Sequence, residues 1–319
     1  MEPFLLIVLG IIAGLLLLFL IFATINHNYR LHKEKRQFHP PGKMVKANGR
    51  KLHVYREGKG AATLVFMSGH GTSSPAVDFK PLWHRLLNNY RIAIIERPGY
   101  GWSEGSKSPR DIDTMLEETR KALHLAGERS PYVLFPHSMA GLEALRWSQK
   151  YPREVQAIVG LDPLVPEVVE HSLKLPPKAN LLFMYLVSRL GLSRFMSDDD
   201  AEKMFPLLQS DQLNAEDKMQ YMAMVYKSAY TRNMLHEIDY LHKNAQKVQA
   251  EGIPLDTPMY FFISEGSDVD APGWREILTD YVLNNKTGKY KHLDCGHYLH
   301  HYQAELITNE ASAFIKGLL

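Results

Sequence analysis

Tyr132-Val133-Leu134-Phe135-Pro136-His137-Ser138-Met139-Ala140-Gly141 is the stretch on which the reading of the fold turns. Residues 132–135 form a short apolar run of strand character. Residues 140–150 carry a helical pattern, and Ser138 stands between the two. A strained strand-to-helix turn of this kind exposes a serine oxygen. It needs small neighbours because the two backbones approach closely, and Ala140 and Gly141 supply them. Pro136 occupies the first glycine position of the usual G-x-S-x-G spacing. Proline brings no N–H to a central ladder, so the strand is expected to end just before it.

Working outward, the same alternation recurs. Strands are expected at 63–67, 91–96, 157–161 and 258–263, with a weaker one at 290–293. Helices are expected at 78–88, 111–126 and 304–318. Asn48-Gly49 between two short runs signals a tight hairpin. Short apolar strands alternating with helices mean a mostly parallel sheet covered on both faces, with its site in loops at the carboxyl ends of strands. Residues 163–255 break the alternation. They are helical in pattern, rich in methionine and bounded by prolines, and read as an insertion over the sheet that lines an apolar pocket.

The 319 residues are 45% hydrophobic and 23% charged, which excludes a disordered chain. The net charge is only +2, so nucleic acid is not an expected partner. Cys295 is the single cysteine, so no internal disulfide can form.

Residues 4–23 are an unbroken uncharged apolar run of 20, long enough to cross a bilayer core. The preceding residues carry Glu2 and no Lys or Arg, unlike a cleaved leader, so an uncleaved single-pass anchor is expected. Between His27 and Gly60 ten Lys/Arg face two Glu, a local charge of +8 suited to anionic headgroups. The positive-inside rule puts this flank, and the folded part with it, on the cytoplasmic side of the cell membrane. The expected organisation is an anchor at 1–25, a basic linker at 26–42, a catalytic core at 43–162 and 256–319, and a helical cap at 163–255.

A serine hydroxyl needs a base, and the base needs an orienting carboxylate. His297, presented by Gly296 after the last strand, is the candidate base. Asp268, in the loop after strand 258–263, is the preferred acid. Asp270, Glu265 and Asp162 are alternatives. An oxyanion needs two backbone N–H donors: Met139, directly after the nucleophile, and His70 in Ser68-Gly69-His70-Gly71, with Thr72 as the other register. His297 and His301 are spaced i,i+4 without a third ligand, so no metal is expected. His300 and His301 read as surface or supporting residues.

Taken in order, the loop 68–71, Glu96-Arg97-Pro98-Gly99-Tyr100-Gly101-Trp102-Ser103, the Ser138 turn, the acid loop at Asp268 and Gly296-His297 resemble the α/β-hydrolase superfamily over residues 43–319. The match is to its serine branch with a helical cap, as in membrane-anchored bacterial members. Glu96 stands where that family's loop has aspartate, and a loop-shaping role is implied. The resemblance implies acyl transfer to water by Ser138, His297 and Asp268, with no cofactor. With the apolar cap and anchor, it points to a lipophilic small-molecule ester as substrate. The family's dehalogenases and epoxide hydrolases use aspartate in place of the serine. The alternatives are an aminopeptidase similar to the proline iminopeptidases, with cap carboxylates for a free amine, and a non-catalytic binding protein on the same fold.

Overall fold

The computed structural model describes residues 2–60 and 62–318. The outermost anchor and core positions, Met1 and Leu319, lie outside them. In chain order the elements are α1 (Glu2–Gln37), β1 (Lys43–Ala47), β2 (Arg50–Glu57), β3 (Thr63–Met67), α2 (Pro75–Asp78), α3 (Lys80–Leu86) and β4 (Arg91–Ile95). Then come α4 (Ile112–Ala126), β5 (Tyr132–Ser138), α5 (Ala140–Lys150), β6 (Val155–Pro163), α6 (Pro166–His171), α7 (Lys178–Leu190), α8 (Asp198–Met204), α9 (Ala215–Ser228) and α10 (Arg232–Ala250). The chain closes with β7 (Met259–Ile263), α11 (Trp274–Leu283), β8 (Lys289–His292), α12 (Leu299–Tyr302) and α13 (Ala304–Lys316).

The eight strands form one sheet in the order β1-β2-β4-β3-β5-β6-β7-β8. β2 runs antiparallel to β1 and β4, and the other neighbours are parallel. Asn48 and Gly49 both take positive φ, the conformation that the tight β1–β2 turn requires. Strand order reverses direction at β3 and β5, and a ligand crevice is expected at the carboxyl ends of such a pair. The period-2 alternation of β3 builds both faces. Leu64 and Phe66 pack with Phe79 and Phe135, while Val65 and Met67 pack on the α4 and α5 side.

Three local readings need correction. β5 does not stop before Pro136 but runs on to Ser138, with Pro136 opposite Met67 of β3. Towards β6 the register shifts between His137 and Ser138, and Pro136 has no pairing there, which is where a missing N–H is tolerated. The helix expected at 78–88 is two, α2 and α3, each with a proline in its first turn, where a missing N–H costs nothing. The stretch 26–42 is not a free linker. α1 is continuous to Gln37, since no glycine or proline interrupts the chain between Gly14 and Pro40.

Between β6 and β7, residues 164–255 contain α6–α10 and no strand among the described residues, so the expected insertion begins one residue later than 163. The insertion has a small core of its own, in which Leu207, Leu208, Tyr221 and Val225 pack with Val77 of the sheet domain. α1 is the one helix among the described residues that is long and apolar enough to cross a membrane, and its apolar stretch is not covered by the protein. Its polar end docks on the insertion. Glu34 takes both terminal nitrogens of Arg194 at 2.7 Å, Arg194 Nε donates to His27 Nδ1 at 2.9 Å, and Phe38 is buried beside Ala223 and Met224.

Candidate active site

Ser138 ends β5 at φ +52°, a region that side-chain-bearing residues seldom enter. Met139 already has helical dihedrals and leads into α5. The turn is tight because Gly141 lies against the end of β6. A Cβ there would sit 2.4 Å from the Leu164 carbonyl oxygen, while Leu164 N–H donates to the Ser138 carbonyl at 2.7 Å. Gly69 closes the other side, where a Cβ would lie 2.8 Å from Ser138 Cβ. Both glycines are required by backbone approach. They bring the loop after β3 against the loop after β5.

The carboxylate on the His297 ring is Asp162, not Asp268. His297 Nδ1 donates to Asp162 Oδ2 at 2.6 Å. Asp162, next to last in β6, has φ +51° and is wholly buried. Its Oδ1 also accepts Ser264 N–H and Trp274 Nε1–H, each at 2.9 Å, and its Oδ2 accepts Ser264 Oγ–H at 2.6 Å. With each oxygen accepting two hydrogen bonds, the carboxylate is an acceptor fixed in place. It assigns the proton of neutral His297 to Nδ1 and leaves Nε2 as the basic nitrogen. Asp268 lies one atom shell away. Both its oxygens accept the backbone N–H of His297, at 3.0 and 2.9 Å. Asp270 is exposed, with Lys174 Nζ 4.0 Å away, and Glu265 is exposed. Trp274 stands edge-on to the His297 ring at 5.5 Å. The hydroxyl of Ser138 and Nε2 of His297 form no hydrogen bond with each other among the described residues. Such contacts often tighten only when substrate binds.

The backbone N–H groups of Met139, His70 and Thr72 have no acceptor among the described residues. Gly69, which lies against Ser138, directly precedes the His70 peptide. The His70 ring points away, with Nε2 3.0 Å from the Met234 carbonyl of α10, and burial pushes its pKa down. Arg97 supports the same loop from beneath by donating to the Gly69 carbonyl at 3.2 Å. Arg97 and Tyr100 meet Glu237 of α10, with Tyr100 Oη–H donating to Glu237 at 2.5 Å. Burial alone would lower Arg97, but Glu237, Tyr100 and Glu143 together overcome it and the guanidinium remains a cation. Glu96 accepts Trp102 N–H at 2.6 Å and lies 3.1 Å from His53 Nδ1, shaping the turn between 97 and 103.

Sequence reasoning did not find two groups. Arg97, Tyr100 and Glu237 tie the loop to the insertion, and the only signal was a charged residue inside a glycine-rich turn. The second group is Asp78 with His300 and His301. The two Nε2 atoms lie 2.9 and 3.1 Å from the two oxygens of Asp78. His300 is fully buried, not a surface residue. These three ligand atoms lie close enough together to hold a metal ion. Two imidazole N–H donors also satisfy the two Asp78 oxygens without one, while Nδ1 of His300 and of His301 is buried with no partner among the described residues. Burial would raise the Asp78 carboxyl, but His301 and His300 overcome it and hold it well below the usual range. The same burial pushes His300 down to about 4. His137 bridges the group to the site. Its ring lies 4.9 Å from His300 and 4.6 Å from His297, and its Nε2 is 3.1 Å from the His297 carbonyl.

The sequence pattern of the family described as "alpha/beta hydrolase fold" matches residues 63–303. A relative in Bacillus subtilis (strain 168), the uncharacterized protein YbdG, is 33% identical over 317 residues, covering 96% of this chain and 95% of the relative. Among solved structures, a putative lipase from Acinetobacter baumannii AYE is similar with a TM-score of 0.67 and 17% identity, over 92% of this chain and 96% of that one. The enol-lactonase from Burkholderia xenovorans LB400 is similar at 0.62 and 16%, over 86% and 100%. A putative epoxide hydrolase from Pseudomonas aeruginosa is similar at 0.65 and 14%, over 86% and 95%. At these identities the likeness to the solved structures is one of fold.

Proposed function

The chain belongs to the alpha/beta hydrolase fold family, and we propose that it is a membrane-anchored serine hydrolase that transfers the acyl group of a lipophilic carboxylic ester to water. The observation that carries the reading is the 2.6 Å bond between His297 Nδ1 and Asp162, in a chain whose nucleophile turn holds a serine. Ser138 Oγ attacks the ester carbonyl as His297 Nε2 accepts its proton, and Asp162 stabilises the imidazolium. The N–H groups of Met139 and His70 receive the oxyanion. His297 then protonates the departing alcohol. A water, deprotonated by the same nitrogen, releases the acid and restores Ser138.

The substrate class rests on apolar surroundings. The insertion encloses a cavity of about 330 Å³ lined by Met184, Phe195, Met204, Met222 and other largely apolar side chains. Ser138 and His297 do not line it, so it supports the apolar character of the insertion and not a substrate position. The test is turnover of p-nitrophenyl esters from acetyl to dodecanoyl beside an amino-terminal proline amide, on the full chain in lipid vesicles. The reading expects ester turnover rising with chain length and lost in Ser138→Ala. Preferential cleavage of the proline amide would replace it with the aminopeptidase reading.

A further inference from the structure

We infer that α7 and Phe195 of the insertion lie in the headgroup–acyl boundary of the same bilayer that α1 enters. The membrane contact is thus an anchor plus a flat apolar face of the folded domain. α7 has the sequence KANLLFMYLVSRL and buries only Leu181 and Ser188 against the protein. Leu182, Phe183 and Leu186 are 53%, 63% and 47% exposed, and Phe195 just beyond the helix is 49% exposed. Large apolar side chains this exposed are ordinary when scattered, but a contiguous set marks a contact surface.

Continuity with α1 identifies what covers this face. The Phe195 ring packs on Phe19 of α1 at 5.3 Å. Phe19 lies four residues inside the apolar run that ends at Ala23, a depth of roughly 6 Å at helical rise. Beside Phe195, Arg194 turns the other way and pairs with Glu34 on the polar part of α1. Thus the segment beyond α7 crosses from apolar to charged partners at the same level as α1 does. Lys178 at the start of α7 is exposed and pairs with Asp239 of α10 at 2.5 Å, so the headgroup contact rests on the apolar side chains. An amphipathic surface of this kind settles about 5–10 Å into the interface. The inference does not depend on the chemistry at Ser138.

The test uses the full chain with Cys295→Ala and one new cysteine, labelled with an environment-sensitive fluorophore. The protein is placed in phosphatidylcholine–phosphatidylglycerol vesicles containing lipids with a nitroxide on the upper acyl chain. The labelled positions are Leu16→Cys in α1, Phe183→Cys, Leu186→Cys, and Lys121→Cys on exposed α4. The expected result is quenching at 16, 183 and 186 several-fold above that at 121, as for an interfacial apolar face. Quenching at 16 with 183 and 186 no higher than 121 overturns the inference while leaving the anchor intact. Absence of quenching at 16 removes the anchor and the inference together. Disulfide formation between two copies at Phe183→Cys, without lipid quenching there, assigns the face to a second copy and also overturns it. A melting temperature matching that of the Cys295→Ala parent qualifies each variant, and positions 183 and 186 serve as independent reports.

Discussion

His297 Nδ1 donates to Asp162 Oδ2 at 2.6 Å, while Asp268 accepts the backbone N–H of the same histidine. Two carboxylates therefore hold one residue by different atoms, one setting the imidazole and the other the loop that carries it. Their amides should behave differently. Asp162→Asn leaves the packing but presents the wrong hydrogen-bonding group to Nδ1, and esterase kcat is expected to fall by about 10³–10⁴. Asp268→Asn keeps an oxygen acceptor for the main-chain N–H, and a loss of about tenfold or less is expected. Steady-state kinetics of both variants decides this. Equal losses would contradict the division of roles.

The close approach of α5 to the end of β6 makes a second prediction. In Gly141→Ala the new methyl group would meet the Leu164 carbonyl oxygen at 2.4 Å, with Leu164 N also within 2.8 Å. Both obstacles are backbone and cannot rotate away. The expected cost is about 3 kcal/mol, the upper part of the usual overpacking range. Gly10→Ala, where nothing lies within 4 Å, should leave the melting temperature unchanged. A silent Gly141→Ala would mean that the two backbones are further apart.

Acid should weaken the fold through His300. Burial lowers its pKa from 6.5 to about 4, so the unfolded chain binds the proton first. Its contribution is intact above about pH 6.5 and is lost as pH falls towards 4, by up to about 3 kcal/mol. His137, also lowered by burial, acts in the same direction. Denaturant unfolding of wild type and His300→Gln between pH 7.5 and 4.5 reads this directly. The variant should start less stable and lose less on acidification, and parallel slopes would contradict the assignment.

The strand-to-helix turn at Ser138 and the loop that presents His297 were legible because both are written locally, in small residues and strand ends. Asp162 was legible by the same rule, as an acid at the carboxyl end of an apolar strand. It stands among the alternatives to Asp268, and β6 runs on past it to Pro163, two residues beyond the expected end at 161. Loop length favoured Asp268, which does reach His297, but at the main chain. The pairing of Asp78 with His300 spans 222 residues and leaves no local trace. The composition of 26–42 reads as a basic juxtamembrane linker suited to anionic headgroups, and its docking on the insertion depends on Arg194 and Glu34 meeting across the fold.

The central claim is that Ser138 is an activated nucleophile, and covalent labelling tests it most directly. The full chain in lipid vesicles would be treated with a fluorophosphonate probe beside a folded Ser138→Ala variant and Asp162→Asn. An activated serine is the group such probes modify. The account predicts rapid labelling of wild type, slow labelling of Asp162→Asn and none of Ser138→Ala. Equal labelling of wild type and Ser138→Ala, or no labelling of folded wild type, would contradict it.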